Sequence, residues 1–374
     1  MLASKISFLA SKIQSQLFPI LDEYLETPLK CHEQVIWALE ILQVENIIPH
    51  YICLDRGRPP KHHACIARAF VAKHVLNLPS TSHLIHRLHC DKNLRYICGW
   101  LPMEKIPSEA TFSRVFDFLS TSGKLDAIHE KLVKEVYENH LVLHCYRDSC
   151  PIEVRERDKK TDQATEQTRY PYRSSDNKQL TLCEYQSTQA RDLRDAIKHL
   201  KTECNIGKKT NSYGLSKCWS GYKLHLDVAD GMFPISCILT SASTHDSQAG
   251  IPLSMKSSLR AKVLYELMDS AYDVNAIKEY ISGEGRVPLV KPHKRKGKRK
   301  EDIEANETAH RNLNWHTPEE QRLKHRFSSE RIFARLHDSF LFRAIWVRGH
   351  AKVFCHVLLG VLALFCSELK RLKT

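Results

Sequence analysis

The chain has 374 residues, 42% apolar and 26% charged, which is enough material for two cores and excludes wholesale disorder. Its 56 Lys and Arg against 43 Asp and Glu leave a formal charge of +13, which points to a polyanionic partner, nucleic acid first. Thirteen cysteines without a Cys-x-x-Cys pair point to a reducing interior, not a secreted disulfide scaffold, and the residues around His62 and His63 lack zinc-finger spacing.

The opening eighteen residues, MLASKISFLASKIQSQLF, are amphipathic and interrupted by lysines, unlike a signal peptide. Residues 1–55 read as helices from the apolar spacing of Leu17, Ile20, Leu21 and Tyr24, then of Val35, Leu39 and Leu42. Asp55-Arg56-Gly57-Arg58-Pro59-Pro60 is a turn. A stripe of Ile66, Ala69, Phe70, Ala72, Val75 and Leu76 predicts a helix over 62–78. Pro79-Ser80-Thr81 caps a second helix at 82–89, Asn93–Trp100 forms a short third, and Ser108–Thr111 starts a fourth. Arg68, Lys73, His86, Arg87, Arg95 and Arg114 are expected to be exposed, which suits a helix-turn-helix-like DNA reader or a plain bundle with solvated charges.

The second half changes texture. Leu141–Tyr146 is a strand ending at Arg147-Asp148-Ser149, and the polar stretch 152–217 reads as an insertion. Lys217–Asp230 alternates as a half-buried strand with Asp227 outward; Asp230-Gly231 turns the chain, and Met232–Leu239 returns. Trp219 and Tyr222 are core aromatics, and Asp246 is the N-cap of the next helix. Val263, Leu264, Tyr265 and Leu267 bury a strand that ends at Asp269, before a helix at 275–281 and a strand at 287–290. The basic run 291–300 follows, in which Lys294, Arg295, Lys296 and Lys298 would clamp a DNA backbone. A helix over 326–340 closes the series, and Val353–Cys366 is a buried packing helix, shorter than a membrane span.

Strand, hairpin of two strands, helix, strand, helix, strand and closing helix is the order of a ribonuclease H-like core. The expected fold is therefore α/β: a mixed sheet with flanking helices over 139–374, with insertions near 152–217 and 292–323, preceded by an all-helical domain over 1–138. In such a core Asp148 and Asp269 end neighbouring strands, and Glu330 is the candidate third acid from the closing helix. At 100° per residue, Arg326, Glu330, Phe333 and His337 share about a quarter-turn of that helix. Clustered carboxylates repel, and two Mg2+ or Mn2+ ions about 3.5–4 Å apart would offset that repulsion and hold an in-line phosphoryl displacement.

The chain resembles the bacterial insertion-sequence transposases of the DDE class. Gly57-Arg58-Pro59-Pro60, Pro107–Arg114, Arg147-Asp148-Ser149, Gly221-Tyr222-Lys223-Leu224-His225, Asp269-Ser270-Ala271-Tyr272-Asp273 and Arg326-x-x-x-Glu330 carry the likeness, in the family's order. The resemblance implies that Asp148, Asp269 and Glu330 hold two divalent ions and that Arg326 contacts a phosphate near the cut. Where the family signature has Tyr and Lys, this chain has Leu323 and His337, with Lys324 and His325 as neighbouring bases. The implied protein acts on double-stranded DNA at the element's ends and at the target, in a prokaryotic cytoplasm on the nucleoid and without a membrane. It would assemble on DNA as a homodimer or larger complex. A ribonuclease H-like nuclease without strand transfer, and a catalytically inactive DNA-binding relative, are the alternatives.

Overall fold

The computed structural model describes residues 29–47, 63–101, 103–156, 172–173, 179–210, 215–292, 298–313, 317–324, 327–343 and 345–373. The turn at 55–60, the apolar spacing at 17–24, and Lys294, Arg295, Lys296, His325 and Arg326 lie outside them. Two compact units emerge: Met1–Glu138 with Ile152–Glu156 and Ala334–Thr374, and Asn139–Pro151 with Arg157–Phe333.

The first unit is helical. Its elements are α1 (Lys30–Leu42), α2 (His63–Val75), α3 (Thr81–Cys90), α4 (Lys92–Ile97), α5 (Glu109–Thr121) and α6 (Lys124–Tyr137). Ser80 caps α3 by accepting from the His83 amide at 3.2 Å, and Asp91 caps α4 through the Leu94 amide at 2.9 Å, so a two-helix corner is closed by side-chain acceptors. α6, which the sequence reading passed over, buries Leu125, His129, Leu132, Val133 and Val136 on one face.

The C-terminal helix, His350–Lys373, packs among α1, α2, α5 and α6, so the region after residue 333 joins the helical unit although it was expected with the sheet. Its length and apolarity would suffice to cross a membrane, but 83% of its most apolar window is buried inside the protein. A helix apolar on every face needs cover on every face, and these neighbours supply it. At Gly360 a Cβ would come within 2.9 Å of the Phe340 carbonyl and the Phe342 ring, so only glycine permits that approach. Glu368, fully buried on this helix, pairs with Arg335 and accepts from Arg371 Nε at 2.7 Å.

Lys73 corrects an expectation. It is buried on α2, with its pKa pushed down to about 8 by burial, and is not an exposed base. Beside it His74 and His356 meet edge to face at 4.7 Å, each donating a ring N–H to a carbonyl, of Phe70 at 2.8 Å and of Leu341 at 3.2 Å. Burial, then Lys73, pushes His356 down to about 3; burial, then His356 and Lys73, lowers His74 well below its ordinary value. Unfolded histidine titrates near ~6.5, above both folded values, so this stability is complete above that pH and drains away as pH falls toward about 3. The thermal midpoint of the protein is expected to drop across that window, and His356→Phe should flatten the drop. An unchanged acid slope in the variant would refute the assignment.

The second unit holds the sheet. Its strands are β1 (Leu141–Glu153), β4 (Asn205–Thr210), β5 (Ser216–Ala229), β6 (Phe233–Ser241), β7 (Lys262–Met268) and β8 (Val287–Val290), with a two-residue pair, β2 (Tyr172–Arg173) and β3 (Gln179–Leu180), apart from it. β5 stands between β1 on one side and, on the other, β4 along its first half and β6 along its second. β1, β7 and β8 run parallel, giving the order β6–β5–β1–β7–β8, which is the ribonuclease H-like sheet anticipated from the element order.

Helices α7 (Leu182–Thr188), α8 (Leu193–Lys198), α9 (Gly250–Ser258) and α10 (Asn275–Gly283) pack in this unit around Ile251, Met268, Tyr272, Ile277 and Ile281, and around Leu200, Ile238 and Leu253. Two sequence readings change here. β1 does not stop at Ser149 but runs to Glu153. The stretch 152–217 is not simply an excursion, because Cys183, Gln186, Ala196 and Leu200 are buried and β4 extends the sheet. After β8 come α11 (Lys298–Asn312), α12 (Pro318–Lys324) and α13 (Phe327–Ser339).

Candidate active site

Parallel pairing sets the site's geometry. β1 and β7 register Tyr146 against Leu267, so two residues further on Asp148, inside β1, and Asp269, just past the end of β7, stand level where the pairing of the two strands ends. That edge is where open α/β sheets bind ligands. Both acids are half-buried. The Ser149 amide donates to Asp148 Oδ1 at 2.8 Å, and the Ala271 amide donates to Asp269 Oδ1 at 3.0 Å. Asp269 therefore caps the short 3-10 turn Ser270–Tyr272 while standing at the rim.

Under the two acids lies a buried ionic network. Arg147 donates from Nε and one Nη to the two carboxylate oxygens of Asp227 at 2.8 and 2.7 Å, and pairs with Glu266 at 2.9 Å. Glu266 also pairs with Arg286 and accepts from Ser254 at 2.8 Å; Ser257 donates to Asp227 at 2.6 Å. Arg147, Asp227 and Glu266 are 0–1% exposed. Burial alone would lower the Arg147 pKa, but Asp227 and Glu266 outweigh it and raise it. Asp227 thus corrects the outward placement read from strand alternation. β5 is buried on both faces from Leu224 onward, so an acid there has no wet side and must find a cation.

Beside Asp148 a second network ties three elements together. Asp246 accepts from Ser149 Oγ at 3.0 Å and pairs with Lys223 at 2.8 Å, while Lys223 also donates to the Thr244 carbonyl at 2.7 Å. Burial raises the Asp246 pKa, and His225 and Lys223 more than reverse it. Lys223 carries that effect at neutral pH, since burial holds His225 down to about 4. Asp246 is not the cap it was expected to be: His245 occupies the N-cap and accepts from the Ser247 amide at 3.3 Å.

Tyr272 shows where the negative charge is concentrated. Its hydroxyl is buried with no hydrogen-bond partner among the described residues, and its pKa is raised by burial first, then by Asp246, Asp148 and Asp269. Negative charge gathered at one edge in this way is the complement of a cation. Asp148 and Asp269 offer hard carboxylate oxygens and neither thiolate nor imidazole, which fits Mg2+ or Mn2+ in kind and disfavours zinc. Two acids make half of such a site. Glu330 is exposed on α13, and among the described residues no three His, Cys, Asp or Glu side chains are gathered closely enough to hold an ion.

α13 buries Ile332, Phe333 and Leu336, and His337 is half-buried, edge-on to Phe342 at 5.9 Å. The preceding helix, α12, is pinned to the sheet. Arg322 lies 4.2 Å over the Tyr265 ring and donates to His144 Nε2 at 2.9 Å, which leaves His144 Nδ1–H for Asp230 at 3.2 Å. Lys298 opens α11, and Leu323 is half-buried on α12.

A family model described as a transposase DDE domain matches residues 158–366, a span that includes Asp269 and Glu330 and begins after Asp148. A second, described as a transposase domain (DUF772), matches residues 21–117. No curated protein and no solved structure matches the chain.

Proposed function

The chain belongs to the family of transposases with a DDE domain, and from that premise we propose that it cuts the ends of a mobile element and joins them to target DNA by metal-dependent phosphoryl transfer. The observation that carries the proposal is the level placement of Asp148 and Asp269 on adjacent parallel strands, beside a buried hydroxyl in their field.

Asp148 and Asp269 would hold the divalent ions from the strand edge, and Glu330 would complete the set from α13. When bound, such ions lower the pKa of water and neutralise charge on the transferring phosphoryl group. The protein's own part is to keep the two aspartates level. Arg147 fixes β1 against β5 and β7, and Asp246 holds Ser149, the neighbour of Asp148. Arg326 and His337 would meet phosphates near the cut, and Lys294, Arg295, Lys296 and Lys298 would follow the duplex backbone. A homodimer or larger assembly would bring two element ends together.

The test offers the protein duplexes taken from either side of its reading frame, with Mg2+, followed by pre-cut ends and a target plasmid. Cleavage with joining supports the proposal. Cleavage without joining would leave a nuclease, and absence of any Mg2+-dependent cutting would leave a DNA-binding relative without catalysis.

A further inference from the structure

Helix α12 is seven residues long, too short to persist by itself, and none of its residues is fully buried. Thr317 and Glu320 close a capping box at its start, each backbone N–H donating to the other's side chain at 3.0 and 3.1 Å, and Glu320 also pairs with His310 of α11 at 3.0 Å. These contacts shape the segment, and Arg322 seats it on the sheet.

The seat draws on four places in the chain. Arg322 of α12 lies over Tyr265 of β7 and donates to His144 of β1. His144 can accept there because its other nitrogen donates to Asp230, in the turn between β5 and β6. Asp230 is tied back to β1 by the His144 amide at 2.8 Å and the Tyr146 hydroxyl at 3.3 Å. The His144 ring stacks on Tyr265 at 5.7 Å and on Tyr146 at 6.2 Å. A lysine could not take the place of this arginine, since an ammonium has neither a flat face for the ring nor a fork that reaches the imidazole at the same time.

Register relates the seat to the acids. His144 pairs with Tyr265 across β1 and β7. Strand alternation puts His144 and Asp148 on one face of β1, about 13 Å apart. The opposite face is the one where Ser254 and Ser257 of α9 meet Glu266 and Asp227. Glu330 follows Arg322 by eight residues, a span of about 12 Å as helix and below about 30 Å at full stretch. The offset from the seat to Asp148 lies within that reach.

We propose that Arg322 is a positioning residue: seated on His144 and Tyr265, it holds the approach to α13 on the sheet face of Asp148, so that Glu330 enters the ion site from a fixed side. The inference rests on the reading of Asp148, Asp269 and Glu330 as ion ligands.

The test measures Mn2+ binding without DNA, from the electron paramagnetic resonance of the free ion, and amide hydrogen exchange over 318–324. Arg322→Gln should quicken exchange there and weaken Mn2+ binding by about 10–100-fold, the loss typical of groups that orient ligands. Glu330→Gln should weaken binding too, and Arg322→Gln added to it should cost nothing further, because a residue that acts through Glu330 then has nothing to act on. Tyr265→Phe keeps the ring face and should behave as wild type, whereas Tyr265→Leu should behave as Arg322→Gln. Unchanged exchange, or unchanged Mn2+ binding beside a loss in Glu330→Gln, would overturn the inference and leave the ion ligands standing. Additive losses in the double variant would do the same, since they mark a structural role apart from Glu330. Binding unmoved by both Asp269→Ala and Glu330→Gln would instead remove the ligand reading, and the inference with it.

Discussion

Replacing Asp269 with Ala is expected to lower Mg2+-dependent strand cleavage by at least about 10³-fold, or about 4 kcal/mol of transition-state stabilisation, with duplex affinity nearly unchanged. The reasoning is electrostatic. Asp269 and Asp148 stand level, and each has one oxygen engaged by a nearby amide. Removing one carboxylate halves the charge that the two aspartates can offer an ion at this edge, while the bases proposed to meet DNA are untouched. The fold should survive, because losing the cap of one 3-10 turn costs only about 0.5–2 kcal/mol. Asp246→Asn is the informative contrast. Asp246 acts on Asp148 through Ser149, so its loss should cost the smaller 10–100-fold typical of partners that orient ligands. Single-turnover cleavage of a labelled duplex, paired with affinity measured without divalent ions, separates the two. Persistent cleavage in the Asp269 variant would remove this residue from the chemistry.

The strands that carry these acids were legible because an apolar run ending in a carboxylate is a local pattern, and local patterns survive translation into structure. The closing helix was legible for the same reason, predicted over 326–340 and found at Phe327–Ser339. What it meets was not. Glu330 reaches an aspartate only through tertiary placement, and its periodicity put Phe333 and His337 on one shared face with it, whereas Phe333 is buried and Glu330 is exposed. Asp227 failed differently. Alternation assumes one wet face, but β5 lies inside a sheet covered on both sides, and its partner, Arg147, comes from the neighbouring strand β1, 80 residues away in sequence. Asp246 was ambiguous because a polar residue at a helix start is read first as a cap, and only the fold reveals Lys223 and Ser149 as its partners. The Asp148 and Asp269 assignment thus came from sequence, whereas the groups that hold those acids in place came from packing.

Arg147→Ala should be the most destabilising single change in the sheet unit, by about 3–5 kcal/mol. One guanidinium there hydrogen-bonds both oxygens of Asp227 and pairs with Glu266 Oε2 at 2.9 Å, all essentially without solvent. Deleting it strands two buried carboxylates that have only Ser257, Ser254 and Arg286 left to meet them. Two buried carboxyl groups left one cation short in this way carry their full desolvation cost. Apolar replacement of Arg147 and Asp227 together, Arg147→Met with Asp227→Leu, should cost less than Arg147→Ala alone, because Asp227 is then no longer stranded and Glu266 keeps Arg286. Urea midpoints for the three proteins, the wild type, Arg147→Ala and the apolar variant, decide the matter. If Arg147→Ala shifts the midpoint no more than an ordinary surface substitution, the network does not hold β1 against β5 and β7. The levelling of Asp148 with Asp269 would then have to come from strand pairing alone.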